Sequence, residues 1–268
     1  MIIVAGAKNF KEAEWLFANG AAEVYCALAD LPNHRRSSLS VGSEAELLRI
    51  TALARRKGKK ALLLVNEACD PAKYPLLARR VKRLAERGIG GAVVREPSIL
   101  ELLAGAEIKA DLILSSLALA FNPAALEYFM RFGIKRVILP FQLPPAQAAG
   151  LIRNRFGLET EMFYYASHFC QNVDPLCRFC DSSGDYKPCK IALGNFRMPS
   201  PGMDAMADLL YDGHKAGVKY LKIPRTLDFE GMKKFLADAK ELNGLLEGGI
   251  SRARFRARHR KVYASGRV

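Results

Sequence analysis

Four of the chain's six cysteines fall in one short run, CQNVDPLCRFCDSSGDYKPC, which spaces Cys170, Cys177, Cys180 and Cys189 as C-x6-C-x2-C-x8-C. Thiolates are soft ligands, and four on one segment are enough to close around zinc or a [4Fe–4S] cluster. The Gly, Pro and Asp between them let the backbone turn back on itself. Structural zinc sites favour paired Cys-x2-4-Cys knuckles, and only Cys177 and Cys180 make one. The looser outer spacings therefore lean toward a cluster, with zinc as the alternative. A disulfide framework is disfavoured for a chain expected in a reducing cytoplasm, and packing alone explains four clustered surface cysteines poorly.

Other side chains gather near this run or at strand ends. His168 stands two residues before Cys170, where it can bond a cluster sulfur, bind substrate or move a proton. His34 precedes Arg35 and Arg36 in the loop after the second strand candidate. Arg35, Arg36, Lys222 and Arg225 suit a carboxylate or phosphate ligand, although arginine and histidine in surface loops are also commonplace. Cys26 and Cys69 end the second and third strand candidates. Each reads by default as a small buried hydrophobe, with Cys26 a reserve ligand. The hydrolase signatures Gly-x-Ser-x-Gly and His-Glu-x-x-His and the Walker loop are absent, and a protease is the last reading.

These groups need a scaffold, and the apolar pattern supplies one. Strand-like runs recur at Ile2–Gly6, Glu23–Leu28, Ala61–Asn66, Gly91–Glu96, Leu112–Ser116, Arg136–Pro140, Thr160–Ala166 and Lys219–Pro224. Helical spacing lies between them. Ser43 and Glu46 form a capping box ahead of Leu47, Ile50 and Leu53, and the pattern stops at Gly58. Gly20, Gly88, Gly133, Gly157 and Gly217 mark further helix ends. Continuous apolar strands imply burial on both faces, as in a parallel sheet. Eight such units predict a (β/α)8 TIM-barrel-like single α/β domain over residues 1–250, with a Cys-rich insertion, residues 167–201, after strand seven. A doubly wound sheet is the rival, but no phosphate-binding glycine loop follows the first strand. The Cys segment would leave the C-terminal face of the barrel, where barrel enzymes build their sites.

Charge qualifies the picture. The 268 residues carry 41 Lys plus Arg against 27 Asp plus Glu, a net +14, and half are hydrophobic, which excludes disorder for most of the chain. No stretch reaches the ~18 apolar residues of a membrane span, and the N-terminus lacks signal-peptide features, so a cytoplasmic protein is expected. From Ser251 onward Arg252, Arg254, Arg256, Arg258, Arg260, Lys261 and Arg267 meet no acid and supply half the excess. Residues 251–268 read as a flexible, solvated basic tail, with phosphate or RNA contact as the alternative.

The segments LARRKGKKALLLVN, RRVKRLAERGIGGAVVREPSIL, LILSS and FGIKRVILPFQL, the Cys run after a strand containing MFYY, and the late KIPR together resemble the peptidase U32 family from about Met1 to Leu242. The resemblance implies a barrel-like catalytic domain and a cysteine set that holds a [4Fe–4S] cluster in several members. Despite the family's label, it also implies oxygen-independent hydroxylation. One branch acts on ubiquinone precursors as a heterodimer of related subunits; others act on tRNA or rRNA bases, with prephenate implicated as hydroxyl source. Cys170 and Cys177 match the family's C-x6-C pair, and Cys189 falls in the region of a later family cysteine. Asn66, Ser115, Lys222 and Arg225 match family-like positions, implying substrate or anion contact, and Asn66 and Ser115 join His168 as the catalytic set. Ala166-Ser167-His168 stands where many members carry His-Gly, and Phe141-Gln142-Leu143 where they carry Arg-Glu-Leu. The RNA-modifying members are longer chains, so the expected substrate is a quinone precursor or other small molecule, with a related U32-like partner subunit. RNA base hydroxylation and a non-catalytic zinc-bearing subunit are the alternatives.

Overall fold

The structure, a computed structural model, describes residues 1–33, 37–140, 143, 146–164, 202–224 and 228–264. Eight strands alternate with helices: β1 (Ile2–Gly6), α1 (Phe10–Ala18), β2 (Glu23–Cys26), α2 (Glu44–Arg56), β3 (Lys60–Val65), α3 (Tyr74–Glu86), β4 (Gly91–Val94) and α4 (Pro97–Gly105). The order continues with β5 (Asp111–Leu114), α5 (Pro123–Met130), β6 (Arg136–Ile138), α6 (Ala149–Ile152), β7 (Glu159–Phe163), α7 (Met203–Ala216), β8 (Tyr220–Ile223), α8 (Phe229–Glu247) and α9 (Arg252–Ala264). The strands form one closed parallel barrel, with β1 paired to both β2 and β8. Closure excludes the open doubly wound sheet.

The barrel forms because each unit satisfies its own ends. In α2, Ser43 Oγ accepts the N–H of Glu46 at 3.2 Å, while Glu46 Oε1 reaches across to the N–H of Phe10 at 3.1 Å and ties α2 to α1. Leu47, Ile50 and Leu53 of α2 are buried against the strands, each contributing about 1.5–3 kcal/mol by burial. After α3, Gly88 takes φ +102°, a left-handed turn that glycine adopts without strain. β6 stops at Ile138, two residues short of the expected Pro140, which has no N–H for a ladder.

Alternate strand residues divide the core in two. Val4, Tyr25, Leu62, Leu64, Val93, Ile113, Ile138 and Tyr220 pack inside the barrel. A larger apolar shell, including Val24, Cys26, Leu63 and Leu114, lies between strands and helices. Among the described residues no helix is long and apolar enough to cross a membrane.

The expected flexible tail is corrected. Residues 252–264 form α9, which buries Phe255, His259 and Val262. Its arginines repeat every four residues and meet acids that repeat every four on α7. Arg256 pairs with Asp208 at 2.8 and 2.5 Å, Arg252 with Asp208 at 3.2 Å and with Asp212, and Arg260 Nε with Asp204 at 2.6 Å. Arg258 meets Glu241 of α8 at 2.5 Å. The run lacks acids of its own because its partners lie on the helices it covers.

Candidate functional site at the barrel mouth

A parallel barrel collects the C-terminal ends of all its strands on one face. There β3 leads into Asn66, β4 into Arg95, β5 into Ser115, and β7 into Tyr164. Asn66 Nδ2 donates to Ser115 Oγ at 3.5 Å, bringing together two expected site residues from strands separated by β4. Ser115 is buried, and its Oγ also accepts the N–H of Leu117 at 3.2 Å, which caps the single turn Ser116–Ala118. The serine is thereby oriented rather than free to rotate. Arg95, from the strand between them, keeps most of its side chain buried and pairs with Glu96 at 3.1 Å. Nothing in the sequence pattern singled it out beyond a charge at a strand end.

Lys222 is expected as an open anion-binding cation, and here the structure assigns its charge differently. It is 4% exposed and points into the barrel. Its Nζ lies 2.9 Å from Glu161 Oε1 and 3.9 Å from the centre of the Tyr25 ring. Glu161 also accepts from Arg136 at 2.9 Å, and Arg136 forms a two-pronged pair with Glu23 at 2.7 and 2.8 Å while stacking on Tyr220. Two cations and two carboxylates thus neutralise one another inside the barrel. Burial alone would raise the Glu161 carboxyl, but Lys222 and Arg136 more than reverse it and hold the acid below its ordinary value. Arg136 is raised, its burial cost outweighed by Glu23 and Glu161. The network fixes the Lys222 side chain beneath the mouth.

Cys26, the reserve ligand, ends β2. It alternates with the inward Tyr25, so it faces the helix-side apolar shell and is fully buried there. Cys69 is half-buried in the turn after β3, and burial, ahead of the charges around it, pushes its thiol up. Asn33 closes the loop after β2, donating to Leu28 O at 3.0 Å and Leu31 O at 2.8 Å, and its N–H reaches Glu67 at 3.1 Å. His34, Arg35, Arg36, His168, Cys170, Cys177, Cys180, Cys189 and Arg225 lie outside the described residues. Among the described residues no group of three or more His, Cys, Asp or Glu could hold a metal.

Both attachments of the Cys segment are nonetheless firm. Before it, the N–H of Tyr164 donates to Lys222 O at 2.8 Å, and its ring meets Phe235 of α8 edge-on at 5.9 Å. Burial, then Asp238, raises the Tyr164 phenol above its ordinary value. After it, α7 begins at Met203 and is clamped by α9 through Asp204 and Asp208.

The profile described as Peptidase family U32 matches residues 8–177. A solved U32 peptidase is similar, at 19% identity and a TM-score of 0.50, covering 62% of this chain and 70% of that one. A 2,3-dimethylmalate lyase of the PEP mutase/isocitrate lyase superfamily reaches a TM-score of 0.54 at 11% identity, covering 93% and 84%. An oxaloacetate acetylhydrolase reaches 0.54 at 12%, covering 95% and 87%. These three share the fold. No curated protein matches by sequence.

Proposed function

The chain belongs to the peptidase U32 family, and from that premise we propose that it is an iron–sulfur barrel taking part in oxygen-independent hydroxylation of a quinone precursor or other small molecule. One observation carries the reading. Residues 165–201 are tethered at both ends to the mouth of a closed barrel, by Tyr164 after β7 and by Met203 at the start of α7. Cys170, Cys177, Cys180 and Cys189 all belong to that span, whose two ends open on the face where barrel enzymes build their sites.

The donor set fits the cofactor. Four thiolates are the full complement of a [4Fe–4S] cluster, and no competing ligand group exists among the described residues. When bound, such a cluster would supply one-electron transfer or a Lewis-acidic iron. The remaining work falls to side chains. Asn66 and Ser115 offer a fixed donor and acceptor to a polar group at the mouth. Lys222 is held by Glu161 inside the barrel, so Arg35, Arg36 and Arg225 are assigned the first contact with the acidic donor or substrate. His168, two residues before Cys170 in the sequence, is assigned the proton transfer.

The small-molecule reading is favoured over RNA by α9. The arginines that suggested an RNA-binding tail are mostly committed to Asp204, Asp208, Asp212 and Glu241.

Iron and sulfide analysis of anaerobically purified protein tests the proposal. About four of each per chain, with broad visible absorption that Cys170→Ser and Cys177→Ser abolish, are expected. Zinc alone, or no metal, overturns it.

A further inference from the structure

Four arginines of α9 are paired with acids, and a second group of cations is gathered by the fold itself. In a parallel barrel every turn leading from a helix into a strand lies on one face, opposite the mouth. Before β3 that face receives Arg55, Arg56, Lys57, Lys59 and Lys60 in succession. Neighbouring turns are in contact: the Arg55 side chain lies across Gly88 and that of Lys60 across Gly90. Further round come Lys109, Lys135 and Arg153, all exposed.

Two bland explanations fall short. Cations favour helix C-termini, where they offset the helix dipole. That accounts for Arg55 and Arg56 in the last turn of α2, but α4, α5 and α6 carry none in their last turns, and Lys109, Lys135 and Arg153 follow the helix ends. Local neutralisation is incomplete too. Asp111 is taken by Lys60 at 2.5 Å and Glu159 by Lys219, leaving Glu86 and Glu107 as opposing acids. Among the described residues no carboxylate pairs with Arg56, Lys57, Lys109, Lys135 or Arg153.

We propose that this strand-entry face is a docking surface for a nucleic-acid phosphate backbone, read without regard to sequence. Flexible cations ringing a face suit evenly spaced phosphates, which they bind by counterion release. A bilayer surface is the poorer match. Membrane-surface proteins add a set of aromatic or aliphatic side chains that enter the interface, whereas the exposed Leu76, Leu119, Phe121 and Met203 belong to the mouth side and Leu102 and Tyr128, in the last turns of α4 and α5, are the exposed large apolar side chains toward this face among the described residues. Because the surface is opposite the mouth, the bound strand is an anchor and not this barrel's substrate, and the inference stands independently of the cluster.

Fluorescence anisotropy with a labelled single-stranded RNA of about 20 nucleotides, from about 50 to 200 mM KCl, tests it. Wild type is expected to bind with an affinity that falls steeply with salt. Arg56→Glu with Lys57→Glu, and separately Lys135→Glu with Arg153→Glu, should each weaken binding roughly tenfold and lower the salt slope by about two. Arg254→Glu with Lys261→Glu on α9 should change affinity less than about twofold, and circular dichroism verifies that every variant is folded. The proposal is overturned by no RNA binding at the lowest salt, by loss confined to the α9 variant, or by tighter binding to phosphatidylserine vesicles than to RNA.

Discussion

Removing the Glu161 carboxylate would take away the acid that joins Lys222 to Arg136 inside the barrel, while Arg136 keeps Glu23. Breaking one member of a buried ion network costs about 3–5 kcal/mol, because the partners' charges stay buried with less to compensate them. Glu161→Gln is therefore expected to lower the urea unfolding midpoint sharply at neutral pH. The pH dependence has a definite sign. A carboxyl held below its ordinary value in the folded chain contributes stability above that ordinary value, and the contribution is lost as pH falls through the native one. The gap between wild type and Glu161→Gln should narrow as unfolding is measured from about pH 7 down to pH 3, and a constant gap would refute the ionised-network account. The same residues show what sequence reading passed over. Glu23, Arg136, Glu161 and Lys222 all sit inside strand runs read as apolar, at positions whose parity matches inward neighbours such as Tyr25, Ile138 and Tyr220. Two-residue alternation identifies charges facing inward. It does not reveal that strands so distant in sequence close the circuit, which depends on barrel closure.

At the scale of elements, α9 depends on packing as well as on charge. Phe255 is fully buried beside Tyr211, their rings 6.0 Å apart, and His259 lies next along the same face, stacked near Tyr263. Phe255→Ala should cost about 3 kcal/mol or more, read as a lowered urea midpoint. His259 adds a pH term. Burial, with Asp204 opposing it, pushes the imidazole below its ordinary value. Such a base binds its proton more readily in the unfolded chain, so stability is full at neutral pH and declines as pH drops below about 6.5. The groups around it are Asp204 on α7 and Arg256, Arg260 and Tyr263 on α9. Wild type should lose melting temperature relative to His259→Phe between about pH 7.5 and 5.5, and equal losses in both chains would remove His259 as the cause. Composition misread this element because a run of arginines resembles a solvated tail when counted alone. The four-residue spacing of Arg252, Arg256 and Arg260 against Asp204, Asp208 and Asp212 was visible in the sequence, but only docking of α9 on α7 shows that the two series are partners.

For the whole molecule, the barrel was readable because one signal repeats eight times: an apolar strand, a helix, and a glycine such as Gly217 (φ +97°) closing the turn. The site was readable only as residue types. The cysteine run has no helix or strand period, so nothing local fixes where its thiolates stand, whereas the Asn66–Ser115 pair exists only because β3 and β5 are brought around one axis. Docking of α9 completes its neighbours: the apolar face of α7 near Tyr211 and the acids at 204, 208 and 212 acquire partners. A chain stopped at Gly249 would expose that surface and leave three carboxylates at helical spacing repelling one another. The loss of Phe255 burial alone, about 3 kcal/mol, corresponds to a melting temperature lower by roughly 6 °C or more for a protein of this size. Scanning calorimetry of the shortened and full chains at equal salt decides the matter: matching melting temperatures would mean that residues 251–268 behave as the solvated tail their composition suggests, and a clear drop makes α9 a structural wall of the barrel.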